Sequence, residues 1–288
     1  MITEPRIFYK PFEYQTAFEY YKNQHRAHWL ADEIPLASDL NDWKLKLTES
    51  EKNLIGNILK SFAQTEVHVN DYWSTKVSIW FPKPEIQAMA RAFADFESIH
   101  AEAYARLNEE LGLDNFQAFL EDEASKAKIE RLIEVPGESL EERALSLAIF
   151  SAFTEGVNLF SSFAVLMSFQ LRNLMKGTAQ IVEWSVRDES LHSQAGCWLF
   201  RTLLQEQPHL DTNSMRDKVI EACHLSVQLE FDFIDKAFEM GNIEGLTKEQ
   251  LKNYIKARAN EKMVELGYKA IYNDIDPNLL KQIEWFGL

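Results

Sequence analysis

Glu97-Ser98-Ile99-His100 and Glu189-Ser190-Leu191-His192 are one phrase written twice. On a helix, residues three apart share a face one turn apart, so each copy presents a carboxylate and an imidazole together. Two such helices facing each other hold donors for a pair of metal ions, provided that two further helices each add a carboxylate.

Working outward from the first copy, Met89, Phe93, Phe96, His100, Tyr104 and Leu107 recur at helical spacing. They predict a long helix from Pro84 to about Leu111, closed by Gly112. Upstream, Thr48-Glu49-Ser50-Glu51 is a capping box that opens a helix to about Lys76. Leu54, Ile58, Phe62 and Val69 mark its apolar face, and Glu66 is its candidate ligand, with His68 and Asp71 as close competitors by spacing alone. The second copy belongs to a helix from about Thr178 to Gln207, stopped by Pro208. Before it, about Leu140 to Leu174 is apolar almost all round, the mark of a central helix, and Glu155 stands in its middle. Each half thus has a helix with a lone glutamate, then a helix with Glu-x-x-His.

Residues 212–240 predict a further helix, and Thr247-Lys248-Glu249-Gln250 caps another that runs to about Leu266. Residues 114–135 predict one or two shorter helices, and residues 1–47 an arm with a single helix, roughly Tyr14 to His28. No stretch alternates like a strand and no linker is rich in Gly, Ser and Pro. The expectation is one all-α domain over residues 1–288.

Composition agrees with this. Of 288 residues, 46% are hydrophobic, while only 10 are Gly and 8 Pro, which favours long helices. A net charge of −15 argues against nucleic acid and against an anionic membrane surface as partners. The two cysteines, Cys197 and Cys223, form no CxxC motif and suggest a reduced, cytoplasmic setting. The N-terminus lacks the basic and apolar regions of a signal peptide. Ile149 to Leu171 is the most apolar stretch, but Ser, Thr, Glu, Asn and Gln interrupt it, so it reads as a buried bundle helix. An ionised carboxylate inside such a bundle must be paired or bind metal. Four carboxylates carry four negative charges, which two divalent ions cancel. Mixed oxygen and nitrogen donors suit manganese or iron.

The chain resembles the radical-generating small subunit of class I ribonucleotide reductase. Three phrases carry the resemblance: Glu97-Ser98-Ile99-His100-Ala101-Glu102-Ala103-Tyr104, Glu155-Gly156-Val157-Asn158-Leu159-Phe160 and Arg187-Asp188-Glu189-Ser190-Leu191-His192. It runs from about Trp29 to about residue 240. The resemblance implies a ferritin-like helical bundle with a dimetal-carboxylate site held by Glu66, Glu97, His100, Glu155, Glu189 and His192. It places the first ligand on Glu66, where many members of the family carry aspartate; glutamate there is found in subgroups that use manganese. Tyr104 falls where the family's radical tyrosine stands. Phe163 and Leu159 suit the apolar pocket around such a tyrosine, whereas Ser185 introduces a hydroxyl. Two readings follow: a radical stored on Tyr104, or an oxidant stored on the metal pair. Trp29 and Asp188 resemble the family's electron-transfer pair, reached from the site through His100. The other tryptophans, Trp73, Trp80, Trp184, Trp198 and Trp285, read as core or interface residues.

By resemblance, two manganese or iron ions activated by an oxygen species start ribonucleotide reduction in a separate large subunit. A homodimer is implied, together with a flavoprotein activase where manganese is used. The sequence stops at Trp285-Phe286-Gly287-Leu288 without the family's flexible tail and its conserved tyrosine, so weak binding to the large subunit is expected of it as given. Two other functions compete: a ligand-binding manganese/iron oxidase of the same fold, and non-enzymatic metal storage. Replacing Glu189 with alanine is expected to empty one of the two metal positions.

Overall fold

The computed structural model describes residues 1–113, 115, 137–239 and 241–286. The helices expected over residues 114–135 lie outside the described residues, as do Gly287 and Leu288. No strand occurs among the described residues.

Nine helices organise the described residues. They are α1 (Gln15–Arg26), α2 (Ala37–Leu45), α3 (Glu49–Asp71), α4 (Pro84–Glu110), α5 (Leu140–Arg172), α6 (Lys176–Glu206), α7 (Asn213–Glu239), α8 (Lys248–Glu265) and α9 (Pro277–Gln282). The start signals act as their chemistry requires. The Thr48 backbone N–H donates to Glu51 Oε2 at 2.8 Å, while Thr48 Oγ1 accepts from the Glu51 N–H at 3.3 Å. Thr247 and Gln250 repeat the arrangement at the head of α8. Pro84 opens α4, and Gly112, at φ +74°, turns the chain out of it.

α3 and α4 pack as one pair and α5 and α6 as another. The four surround the centre, α7 and α8 cover the outer side of α5, and α1 lies against α4 and α6. By length and apolarity α5 could span a membrane, yet 89% of its most apolar window is buried inside the protein. This is the central helix that its all-round apolar pattern predicts.

Three local features depart from a regular reading. First, α2 lies within the arm. Its Asp39 accepts from the Gly177 N–H at 2.9 Å and the Thr178 N–H at 2.7 Å, and its Asp42 accepts from the Met175 N–H at 3.0 Å. These acids satisfy the free amides at the head of α6 and complement its dipole. Second, α3 continues into a π-helical turn, Tyr72–Val77. Third, α5 widens into a π-helical segment, Ala148–Asn158, which contains Glu155. The extra residue per turn re-aims the side chains that follow it. Close helix contact locks this segment in place. A Cβ on Gly196 of α6 would lie 2.0 Å from the Ser151 Cβ of α5. Gly196→Ala therefore overpacks the α5–α6 contact and is expected to lower stability by about 1–3 kcal/mol, read from denaturant unfolding.

Candidate metal centre

The six proposed donors come from four helices and converge. Glu66 comes from α3, Glu97 and His100 from α4, Glu155 from the π segment of α5, and Glu189 and His192 from α6. All six are buried. Their ligand atoms form two overlapping groups, each with its atoms within 4.8 Å of one another: Glu66, Glu97, His100 and Glu189, and Glu97, Glu155, Glu189 and His192. Glu97 and Glu189 belong to both, so they are shared, while Glu66 with His100 and Glu155 with His192 are the outer donors. This grouping favours a role for Glu189 at both positions over the single position expected from sequence.

The spacing ambiguity at the first ligand also resolves. Along a helix, two or five residues turn the side chain about 200° or 140° from Glu66. Accordingly Asp71 is exposed, His68 is half-buried, and neither enters a group.

Several atoms of these donors lack partners. Glu66 Oε2, Glu97 Oε1, Glu155 Oε2, both carboxylate oxygens of Glu189, and His192 Nδ1 are buried without a hydrogen bond. His192 Nδ1 and Glu97 Oε1 are 2.6 Å apart, yet their directions do not make a hydrogen bond. His100 Nδ1 is hydrogen-bonded to Glu97 Oε2 at 3.2 Å and lies as close to Glu189 Oε1. Buried donor atoms crowded together, most of them without a hydrogen bond, fit two cations that neutralise four carboxylates. Both cysteines are buried and neither joins the centre, so the donor set is oxygen and imidazole nitrogen throughout.

With Nδ1 turned inward, each imidazole carries its proton on Nε2 and gives it to a fixed acceptor. His100 Nε2 donates to Asp188 Oδ2 at 3.2 Å, and His192 Nε2 donates to Gln24 Oε1 at 2.9 Å. Gln24 Nε2 then donates to Asp188 Oδ1 at 3.1 Å, and the Trp29 indole N–H donates to Asp188 Oδ2 at 2.8 Å. Such partners fix tautomer and ring orientation. The Trp29 ring stacks 5.8 Å from His100 and meets the half-buried Trp184 at 5.3 Å. The structure thus joins His100, Asp188 and Trp29 in one hydrogen-bonded chain.

Two contributors have no signal in the local sequence. Gln24 is a buried amide on the otherwise polar α1. Trp73, read from sequence as a core or interface residue, donates its indole N–H to Glu155 Oε1 at 2.6 Å. The π turn at the end of α3 carries it there. Tyr104 is fully buried, with Phe62 at 5.0 Å and Phe163 packed 5.1 Å beyond Phe62. Burial raises its phenol well above the ordinary value, and Glu66 adds to this, while His100 and the Ser185 hydroxyl oppose it. That influence falls short of a hydrogen bond of normal geometry, and both hydroxyls remain unpartnered.

The centre's charge state sets a pH dependence for the metal-free protein. Burial, with Glu97 and Glu189 added, holds the Glu66 carboxyl well above the ordinary glutamate range. Burial with Glu189 and Glu97 does the same for Glu155, and burial with Glu97 raises Glu189. Glu97 feels the same burial, but His192 and His100 outweigh it and bring its carboxyl down to about 2. Burial works against a charged His100, yet Asp188, Glu189 and Glu97 raise it well above its ordinary value. A folded-state pKa above the unfolded one stabilises fully below the unfolded value and is lost as pH rises through the folded one. The glutamate contributions are thus complete below about 4.5 and that of His100 below about 6.5, and all decline above. Glu97 acts in the opposite sense, but only below about 4.5. The metal-free protein is therefore expected to lose thermal stability as pH rises from that range, while bound divalent ions, which displace these protons, flatten the curve. Calorimetry of both forms across pH checks this; a metal-free curve rising with pH would contradict it.

Fold and centre together define a helical-bundle protein with a dimetal-carboxylate site. Comparison with known proteins narrows the class. The family described as ribonucleotide reductase, small chain, matches residues 6–278, and the chain belongs to that family. A probable ribonucleoside-diphosphate reductase small subunit of Invertebrate iridescent virus 3 is 34% identical, over 94% of this chain and 77% of its own. A putative class I ribonucleotide reductase from Bacillus halodurans superposes with a TM-score of 0.87 at 23% identity, over 94% of this chain and 99% of its own. The dimanganese(II) NrdF of Streptococcus sanguinis gives 0.83 at 20% identity, over 97% and 99%. These two solved structures share the bundle fold.

Proposed function

We propose that this chain, as the small subunit of ribonucleoside-diphosphate reductase, holds two manganese or iron ions and provides the oxidant that begins ribonucleotide reduction in the large subunit. The observation that carries this is the convergence of four carboxylates and two imidazoles into two overlapping groups with unpartnered inner atoms. A manganese or iron pair held there would supply redox chemistry, with an oxygen species as the oxidant. The chain's own residues do the rest. Glu97 and Glu189 hold the two positions together, and Glu66 with His100 and Glu155 with His192 complete them. Asp188 and Gln24 fix the imidazole protons on Nε2. Trp73 holds one oxygen of Glu155. His100, Asp188 and Trp29 form the route by which an electron reaches the centre from outside. Phe62 and Phe163 keep water from Tyr104, the candidate radical site.

Glu66 at the first ligand, together with the likeness to the dimanganese(II) NrdF of Streptococcus sanguinis, favours manganese. With manganese, the activating partner in this proposal is a flavoprotein that supplies superoxide. The working form is a homodimer in a reducing, cytoplasmic setting, consistent with two buried free thiols. We read residues 1–288 as a single domain with residues 1–47 as its arm.

Electron paramagnetic resonance tests the reading on protein loaded with manganese, iron or both, then exposed to oxygen or superoxide, with metal counted in parallel. An organic-radical signal that vanishes in Tyr104→Phe makes Tyr104 the radical store. A multiline manganese signal that survives Tyr104→Phe makes the metal pair the store and Tyr104 a packing residue. Failure to retain two ions per chain overturns the proposal.

A further inference from the structure

The donor cluster borders a surface cleft on one side only, among the described clefts. A cleft of about 570 Å³ opens between α3 and α4, and its lining includes two of the six donors, Glu66 and Glu97. Both are buried at its floor, and each has one oxygen without a hydrogen-bond partner. Glu102 and Ser98 are exposed at the mouth, and Asn70 and Ala101 are half-buried between mouth and floor. The Asn70 side-chain N–H donates to the Ala94 carbonyl and, at 2.8 Å, to Ser98 Oγ, which ties α3 to α4 at one edge. The outer donors of the other position, Glu155 and His192, do not line this cleft. Glu155 lies under the Trp73 indole, and the Phe93 ring packs 4.2 Å from His192. Two other clefts, one beside Trp43 and Leu113 and one beside Ser50 and Arg172, reach none of the six donors.

Charge says what such a passage admits. Three carboxylates line the cleft, and among the described residues no lysine, arginine or histidine does. Its other polar groups, Asn70 and Ser98, carry oxygen that a hard cation accepts. Carboxylates lining a cleft concentrate cations and repel anions.

We infer that divalent cations enter and leave the two-ion centre through the α3–α4 cleft, passing Glu102 at the mouth to the Glu66–Glu97 floor. The Glu155–His192 position fills by transfer across the shared carboxylates. This rests on the two-ion reading of the centre.

The test is kinetic and needs no turnover. Metal-free homodimer is mixed with manganese(II), and uptake is followed by loss of the resonance signal of free aqueous manganese. Release is followed after adding a chelator in excess. A barrier in the passage slows entry and exit alike, so Ala101→Phe is expected to reduce both rates by roughly tenfold with the equilibrium affinity unchanged. Glu102→Lys, an exposed substitution outside the donor set, keeps the proposal open to refutation if the phenylalanine disturbs folding. It places a positive charge at the mouth and slows uptake on the order of tenfold at low salt, an effect that salt screens away. Asn57→Trp, in the cleft beside Trp43, leaves both rates unchanged. Wild-type rates in folded Ala101→Phe and in Glu102→Lys would overturn the entry route while leaving the two-ion centre intact. A wild-type protein that retains no manganese would overturn the centre itself.

Discussion

Glu189→Ala is expected to lose both metal ions, not one. Both oxygens of Glu189 are buried without hydrogen bonds, and the residue belongs to both donor groups. Its removal takes a donor from each position and leaves three carboxylates to balance two divalent ions. Loss of a partner that merely orients a ligand weakens metal binding by about 10–100-fold, so loss of a shared ligand is expected to exceed about 100-fold at each position. Glu66→Ala is the comparison, because Glu66 belongs to one group only and its loss spares the Glu155–His192 position. Metal counting on dialysed protein, with stepwise calorimetric titration, separates the cases. Retention of one tightly bound ion by Glu189→Ala would make Glu189 an outer ligand and break the shared arrangement.

Trp29→Phe is expected to keep two ions per chain and to lose turnover with the large subunit by about 10–100-fold. The phenyl ring preserves most of the stacking on His100, while the indole N–H that reaches Asp188 is gone. Asp188 keeps two other donors, His100 Nε2 and Gln24 Nε2, so the centre stays assembled. Metal content and metal oxidation should match wild type while deoxynucleotide formation collapses. Normal turnover would remove Trp29 from the electron route. A collapse of metal binding would mean that the indole matters for assembly, through the imidazole that Asp188 orients.

Much of the fold and of the centre is legible in the chain itself, for a definite reason. Helix periodicity, the capping boxes at Thr48 and Thr247, and Pro84 act within a turn or two of their own position, so local chemistry suffices to place α3, α4 and α8. The pairing of Glu97 with His100, and of Glu189 with His192, is equally local, being one turn of helix. The cost of burying four carboxylates made two cations the expected solution.

Other features depend on contacts between residues far apart in the chain, and these only the tertiary structure decided. Asp39 caps a helix that begins far along the chain, at Lys176, so the arm's second helix gains its support from across the molecule. Gln24 and Trp73 look like an ordinary surface amide and an ordinary core aromatic until docking sets one on His192 and the other on Glu155. The π segment of α5 is locked where Gly196 admits Ser151, a steric fit between two helices that neither encodes alone. Which carboxylates belong to both donor groups, and which donors line the α3–α4 cleft, follow from how four helices cross. Residue types and spacing thus define the donors, and the packing of the bundle assigns each its role.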